Sequence, residues 1–241
     1  MGAEWRASGR PVESFSSPAL GILLALACAA CPAGAGPIQS SVWIDVSREA
    51  GVRFNGYRLP RQAEGMGVVA TPAREIVTAA HVVWQAKAIT ITDAKGAKFR
   101  AEVVCIDKAV DVALLRAPHP AAPFAAIRAR PAFAGEPVGV VQRPDPDEPP
   151  RIASGVIGAS RWTINGVPVP VIFSGIKGEK GMSGGGLFDE KGDLVGIVIR
   201  IDSTLGYLSA LPVSEVCTRF SRCAGGAPPA ATPPACEPGA P

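Results

Sequence analysis

Imidazole is scarce in this chain of 241 residues, which has two histidines, His81 and His119. Any chemistry that needs a histidine therefore has only two places to occur. Charged residues make up 19% of the chain and aromatic residues 6%, and the formal net charge at pH 7 is +3. So small a positive excess gives no basis for a nucleic-acid partner.

Glycine and proline are abundant, with 27 and 24 residues, about a fifth of the chain together. Both residues interrupt the hydrogen-bond ladder of an α-helix, so long helices are not expected. The 47% of hydrophobic residues is too high for a disordered chain. The composition therefore predicts a β-rich globular protein with many turns.

The N-terminus carries the pattern of an export signal. Arg6 and Arg10 precede an apolar run at residues 19–30. A run of about 12 apolar residues is short for a membrane-spanning helix but suits the core of a signal peptide. We interpret residues 1–36 as a signal peptide that sends the protein to the periplasm or out of the cell. Left uncleaved, the same segment would anchor the chain in a membrane.

Short apolar runs separated by turn residues fill the middle of the chain. This pattern favours antiparallel barrels or a sandwich. We expect two similar halves at residues 40–125 and 136–222, joined by a linker at 126–135. The second half should end in a short helix, and residues 223–241, rich in proline, alanine and glycine, should form an extended tail.

Six cysteines are present, and Cys28 and Cys31 lie in or beside the export segment. This pair has neither a second Cys-x-x-Cys nor a histidine pair near it, so no metal site is expected. An oxidising compartment would allow three disulfide pairings among the other four cysteines, which are Cys105, Cys217, Cys223 and Cys236.

Three short segments contain the residue types that acyl transfer requires. His81 ends a strand-like run, Asp111 directly precedes an apolar run, and Ser183 lies in a glycine-rich stretch. A serine nucleophile needs a base for its proton and a carboxylate to orient that base. It also needs backbone N–H donors for the oxyanion, which the amides of Gly181 and Ser183 could supply. Asp107 is an alternative carboxylate, but it does not directly precede the apolar run.

The order of these residues excludes rival active sites. An α/β-hydrolase places its histidine after the nucleophilic serine, whereas both histidines here precede Ser183. Residues 174–177 match the Ser-x-x-Lys of penicillin-binding enzymes, but neither Ser-Asp-Asn nor Lys-Thr-Gly follows. The remaining His–Asp–Ser order predicts hydrolysis without a cofactor.

These segments also resemble a known family. The runs TAAHVV (78–83), DVALL (111–115) and GMSGGGLFDEKGDLVGIV (181–198) look like the three signature blocks of trypsin-like serine proteases, in particular the bacterial HtrA/Deg type. The resemblance covers roughly residues 62–215. It implies an all-β fold of two six-stranded antiparallel β-barrels, with the active site in the cleft between them. It also implies that His81 is the general base, that Asp111 orients it and that Ser183 is the nucleophile.

The resemblance further implies where substrate binds. Lys177 would lie near the base of the specificity pocket, and Ile199, Arg200 and Ile201 would form the edge strand that pairs with an extended peptide. The pocket positions offer no aspartate that would favour a basic substrate side chain, and we expect small or aliphatic side chains there. Attraction of an acidic side chain by Lys177 or Arg200 is the alternative. Met182 replaces the aspartate on which digestive relatives rely for activation, and no peptide-binding PDZ domain is expected.

The function predicted from the sequence is that of an exported serine endopeptidase acting on protein or peptide substrates, without metal, cofactor or nucleic acid. The first alternative is a trypsin-like module that binds protein without cleaving it, as a chaperone or scaffold would. The second is a protease that requires a partner to order the loop at residues 175–181.

Overall fold

The computed structural model describes residues 35–71, 75–118, 123–143, 148–158, 161–164, 167–202 and 204–223, without the side chains of 161–164, 167, 168 and 221–223. The predicted export signal and tail lie almost entirely outside these residues. So do His119 and three of the six cysteines, Cys28, Cys31 and Cys236.

Strands dominate the described part of the chain, and its helices are short: α1 (Pro37–Ser40), α2 (Ala80–Val83) and α3 (Val213–Cys223). The strands of the first half are β1 (Ser41–Arg48), β2 (Arg53–Phe54), β3 (Tyr57–Arg58), β4 (Gln62–Val69), β5 (Glu75–Ala79), β6 (Ala86–Thr92), β7 (Lys98–Arg100), β8 (Glu102–Asp107) and β9 (Val112–Arg116). Those of the second half are β10 (Pro137–Gln142), β11 (Arg151–Gly158), β12 (Arg161–Ile164), β13 (Val167–Pro170), β14 (Ile172–Lys177), β15 (Gly186–Asp189), β16 (Leu194–Ile201) and β17 (Tyr207–Pro212).

The first half forms an antiparallel sheet in the order β7-β6-β1-β4-β5-β9-β8. Its two edge strands are consecutive in the chain, because only Ala101 separates β7 from β8. One bent run therefore pairs with β6 at its beginning and with β9 at its end. Counted as one strand, it brings the two edges of the sheet together and gives six strands in place of seven.

The second half forms a closed barrel in the order β10-β11-β14-β17-β16-β15. The short hairpins β2–β3 and β12–β13 lie outside the two sheets. The all-β, two-barrel fold expected from the sequence is thus confirmed, and α3 is the short helix expected at the end of the second half.

Three apolar clusters stabilise this arrangement. One fills the first sheet around Ile44, Ile76 and Leu115. Another fills the second barrel around Leu187 and Leu208. The third joins the halves, since Trp43 and Val68 of the first pack with Phe188 and Leu194 of the second. Each fully buried side chain of this size contributes about 1.5–3 kcal/mol, so the third cluster strongly favours docking of one half against the other.

A buried ionic cluster holds the segment between the two halves. Both Glu136 carboxylate oxygens accept from Arg128 Nη2, at 2.7 and 2.8 Å, and one also accepts from Arg130 Nη1 at 2.7 Å. Arg128 Nη1 lies 3.6 Å from Asp189 Oδ2. Burial raises the pKa of Glu136, but the Phe133 N–H and the two guanidinium groups outweigh it and hold that pKa below its usual value. Glu136 therefore stays ionised, and its ion pairs stabilise the linker at neutral pH.

In the described ranges, no helix combines the length and apolar character that crossing a bilayer requires. The same ranges contain no group of three or more His, Cys, Asp or Glu side chains placed to hold a metal ion.

Candidate active site

The pairing of β5 with β9 brings His81 and Asp111 together. In this antiparallel ladder Ala79 lies opposite Val112. His81 follows β5 in the single turn α2, and Asp111 immediately precedes β9. The Ala80 N–H donates to the Asp111 carbonyl at 3.1 Å, which extends the contact past the end of the ladder. Two segments 30 residues apart thus meet because their strands are neighbours.

The Asp111 carboxylate binds His81 at two points. Its Oδ1 accepts from the His81 backbone N–H at 2.8 Å, and its Oδ2 lies 2.7 Å from the ring Nδ1. An ionised carboxylate only accepts hydrogen bonds, so Nδ1 carries the ring proton and Nε2 is left as the basic nitrogen. The Asp111 backbone has φ 62°, the left-handed region that few residues other than glycine adopt. Such strain persists where surrounding contacts enforce it, as at functional sites.

An aromatic wall stands beside the imidazole. The Phe54 ring, on the β2–β3 hairpin, lies 6.3 Å from the His81 ring between centroids. Trp84 packs against Phe54 edge to face at 5.5 Å, and the Lys108 ammonium lies 5.1 Å from the Trp84 ring centroid. The His81 side chain remains 28% exposed, against 14% for Asp111. The His81 ring is therefore accessible to solvent while its carboxylate partner is largely covered.

Backbone hydrogen bonds attach the Ser183 loop to both halves of the fold. The Met66 N–H of β4 donates to the Ser183 carbonyl at 2.8 Å. The Gly184 N–H donates to the Val198 carbonyl of β16 at 2.7 Å, and the Val198 N–H donates to the Gly185 carbonyl at 2.8 Å. Ser183 is thus held where the first half meets the second.

Gly184 shows how close this loop comes to the histidine segment. Its φ is +84°, and a Cβ there would lie 2.1 Å from the Met66 carbonyl oxygen, 2.2 Å from Thr78 Oγ1 and 2.9 Å from the Ala79 nitrogen. Only glycine fits such a position. The residue after Ser183 therefore touches the end of β5, two residues before His81.

Gly181 and Met182 shape the loop just before the serine. Gly181 has φ +88°, and a Cβ there would lie 2.8 Å from the Trp43 ring. The Met182 side chain is 2% exposed and packs in the core cluster of the second barrel, where Sδ accepts the Glu179 N–H at 3.1 Å. Met182 is therefore a buried apolar anchor at the position where, by the resemblance, digestive relatives carry an aspartate.

The predicted substrate-binding residues lie on adjacent strands of the second barrel. The Lys177 Nζ donates to the Leu205 carbonyl at 2.9 Å and lies 4.1 Å from the Tyr207 ring centroid. The pairing of β16 with β15 ends at Ile197, so on that side Ile199, Arg200 and Ile201 have no partner strand among the described residues. Arg200 is exposed and Ile199 is buried.

The structure thus brings His81, Asp111 and the Ser183 loop to one place, between the two halves. In the described part of the chain, the Ser183 hydroxyl makes no hydrogen bond to the imidazole. Serine–histidine hydrogen bonds are often long in enzymes without substrate and shorten when substrate binds.

Sequence reasoning missed Trp43 and Arg48, both on β1. Trp43 packs on Gly181, and Arg48 donates to the carbonyls of His81 and Val82. Neither residue belongs to a motif, and a single tryptophan or arginine in an apolar strand carries no signal of an active site. Their contacts arise only from the folding of β1 against α2 and the serine loop.

Residues 65–197, more than half of the chain, match the protein family described as trypsin-like peptidase domain. Two curated relatives from Mycobacterium tuberculosis are similar over 184 residues at 34% identity: serine protease MT3772 of strain CDC 1551 / Oshkosh and serine protease Rv3671c of strain H37Rv. The similarity covers 71% of this chain and 45% of each relative, so the chain spans about half the length of the curated relatives it matches.

Solved structures of serine proteases have a similar fold. The inactive form of a serine-to-alanine variant of Rv3671c from M. tuberculosis H37Rv superposes with a TM-score of 0.64 at 27% identity, covering 80% of this chain and 90% of that one. The serine endoprotease from Yersinia pestis gives 0.63 at 21% identity, covering 78% of this chain and 63% of that one. The latter likeness shows a shared fold.

Proposed function

The chain belongs to the trypsin-like peptidase family, and on that premise we propose that it is a serine endopeptidase that hydrolyses peptide bonds of protein substrates. The observation that carries the proposal is the double contact of the Asp111 carboxylate with the backbone N–H and ring Nδ1 of His81. This contact leaves Nε2 as the basic nitrogen of the ring. The Met66 N–H donates to the Ser183 carbonyl and so holds the serine loop at the same cleft.

In the proposed reaction, Ser183 Oγ attacks the scissile carbonyl carbon while His81 Nε2 takes the hydroxyl proton. The carbonyl π electrons move to oxygen and form a tetrahedral oxyanion. When this collapses, the C–N bond breaks and the imidazolium returns the proton to the leaving amine. Water then attacks the acyl-enzyme with His81 again as base, which releases the acid and restores Ser183. Throughout, Asp111 holds the tautomer and balances the imidazolium charge.

The oxyanion would be bound by backbone donors. In the described residues, the N–H groups of Gly181 and Ser183 donate to no other backbone group, so both are available. Gly181 lies against the Trp43 ring and the Met182 side chain is buried, and both contacts fix the peptide units that carry these two N–H groups. Donors that are positioned before the reaction stabilise the developing charge, and losing one costs about 10²–10³-fold in kcat.

Substrate would bind as an additional strand beside Ile199–201, whose backbone groups lack a partner on that side in the described fold. We propose that the specificity pocket takes a small or aliphatic side chain. A Cβ at Gly178 would lie 2.6 Å from Ile201 Cγ1 and 2.9 Å from Leu208 Cδ2, so apolar groups narrow this region. The Lys177 ammonium is already engaged by the Leu205 carbonyl and the Tyr207 ring, which disfavours its use for an acidic side chain.

Covalent labelling tests both proposals. A peptidyl phosphonate ester with an alanine-like side chain should phosphonylate Ser183 and no other serine, as located by peptide mass spectrometry. An analogue with an aspartate-like side chain should react at least about tenfold more slowly, since each 1.4 kcal/mol of lost transition-state binding is a factor of ten.

The outcomes separate the alternatives. Absence of labelling together with binding of unfolded polypeptide would favour the non-cleaving binding module. Labelling that appears only with an added peptide would favour activation by a partner through the loop at residues 175–181. Faster reaction of the acidic analogue would overturn the assignment of the pocket without affecting the nucleophile.

We also propose that residues 1–36 export the protein and that Cys105 and Cys217 form a disulfide in the oxidising compartment that it reaches. Cys105 of β8 and Cys217 of α3 pack against the same core cluster. The ion pair between Arg219 Nη1 and Asp107 Oδ2, at 3.5 Å, joins the same two elements. Such a bond would link the C-terminal helix covalently to the first half.

Peptide mapping of the secreted protein without reduction tests this pairing. We expect a peptide that joins Cys105 to Cys217, and a mature N-terminus beyond the apolar run. A dominant bond between Cys217 and Cys223, or recovery of both Cys105 and Cys217 as free thiols, would contradict the proposal.

A further inference from the structure

Arg48 is a charged side chain where the pattern of its strand calls for an apolar one. Alternation along β1 places it on the same face as Val42, Ile44 and Val46, which belong to the core cluster of the first sheet. Arg48 is 3% exposed. A register shift in the pairing with β6 falls between Ser47 and Arg48, and such shifts often redirect a side chain.

The buried guanidinium makes its contacts with the segment that carries the histidine. Nη1 donates to the His81 carbonyl at 3.3 Å, and Nη2 donates to the Val82 carbonyl. Nε has no hydrogen-bond partner within the described ranges. Among the described residues no carboxylate lies within ion-pair distance of Arg48, and burial holds its pKa below the usual value. A buried charge without a counter-ion is costly, and its hydrogen bonds to these two carbonyls offset part of that cost.

In the described part of the chain, no turn or loop N–H donates to these two carbonyls. The helix α2 has only four residues, and the last carbonyls of a helix have no partner within it. Arg48 supplies donors from one side, while the Asp111 carboxylate accepts the His81 N–H from the other. The backbone of His81 is therefore held at both its N–H and its C=O.

We propose that Arg48 is a positioning residue for the reaction. It clamps the His81 carbonyl so that the imidazole stays aligned between Asp111 and Ser183. The expected loss of kcat rests on the proposed peptidase function, whereas the expected effect on the position of His81 does not. A misplacement of about 1 Å at a catalytic group can cost about 10²-fold in rate. Loss of the clamp should therefore act on kcat, because Arg48 is buried and has no path to substrate.

The test compares Arg48→Met and Arg48→Lys with wild type in steady-state peptide hydrolysis, below the unfolding temperature of each protein. Arg48→Met should lower kcat by about 10–100-fold with KM within about twofold. Arg48→Lys, which can reach one carbonyl but not both, should lose about 3–10-fold. Val46→Ala is the matched control, since it truncates a buried side chain on the same face of β1 that makes no hydrogen bond to α2. It should lower the unfolding temperature and leave kcat unchanged.

A second readout does not require activity. Because the chain has two histidines, NMR of ¹⁵N-histidine-labelled protein can resolve the Nδ1–H proton of His81. Its hydrogen bond to Asp111 should slow exchange with water in wild type and in Val46→Ala, and exchange should accelerate in Arg48→Met. This result holds even if wild type cleaves nothing, so failure of the proposed function and failure of the clamp are distinguishable.

Three results would overturn the proposal. One is wild-type kcat together with slow exchange in a folded Arg48→Met protein. Another is an equal loss of kcat in Val46→Ala. If Arg48→Met does not fold, Arg48→Lys decides, and wild-type kcat and exchange in that variant would sink the inference.

Discussion

Ser183→Ala should lower turnover by about 10⁴–10⁶-fold, since the nucleophile is lost and only the oxyanion donors and substrate binding remain. Folding should be unaffected. Backbone hydrogen bonds hold the Ser183 loop. The Met66 N–H donates to the Ser183 carbonyl, the Gly184 N–H donates to the Val198 carbonyl, and the Val198 N–H donates to the Gly185 carbonyl. Steady-state hydrolysis of a peptide substrate, with the unfolding temperature measured alongside, is the experiment.

Ser174→Ala is the matched control for this prediction. Ser174 is buried, donates to the Leu208 carbonyl at 3.3 Å and is the serine of the Ser-x-x-Lys match that the sequence argued against. Its loss should cost about 1 kcal/mol of stability and leave kcat close to wild type. If Ser183→Ala kept full activity while Ser174→Ala lost it, the assignment of the nucleophile would be wrong.

Asp111→Asn should lower kcat by about 10⁴-fold, equivalent to about 5.5 kcal/mol of transition-state stabilisation. The side-chain oxygen of asparagine can still accept the His81 N–H, but its amide group then faces Nδ1 as a donor. The ring proton is thereby moved to Nε2, and the imidazole can no longer accept the proton of Ser183. Asparagine tolerates the φ of 62° at this position, so the backbone should be preserved.

Asp107→Asn tests the alternative carboxylate with the same chemical change four residues away. Asp107 Oδ1 accepts the Ala109 N–H at 2.9 Å and Oδ2 pairs with Arg219 at 3.5 Å. An asparagine keeps the first contact and weakens the second, so kcat should stay within about twofold of wild type while stability falls by about 1 kcal/mol or less. A loss of activity confined to Asp107→Asn would transfer the role of orienting residue to Asp107.

The β-rich fold was predictable because it follows from local properties. Frequent glycines and prolines and short alternating runs disfavour long helices and favour hairpins. The bent run of β7 and β8 was not predictable. Whether residues 98–107 end one hairpin or close a sheet depends on pairing with both β6 and β9, which no local pattern contains.

The candidate site likewise has a part that the sequence predicts and a part that depends on the fold. The candidate roles of His81, Asp111 and Ser183 follow from residue type and chain order, because proton transfer needs those groups and competing folds need another order. Arg48 and Trp43 follow from neither. Arg48 contacts His81 and Trp43 contacts Gly181 only because β1 packs against both segments in the folded chain. These contacts, and not a motif, identify the two residues.

Residue chemistry and chain order were therefore enough to indicate an all-β protein with a serine, a histidine and an aspartate suited to acyl transfer. The 2.7 Å contact between His81 Nδ1 and Asp111 Oδ2, the attachment of the Ser183 loop to both halves and the buried guanidinium under His81 required the folded chain. The reason is physical. Reaction chemistry resides in single side chains, whereas alignment to a fraction of an ångström comes from the packing of segments far apart in the sequence.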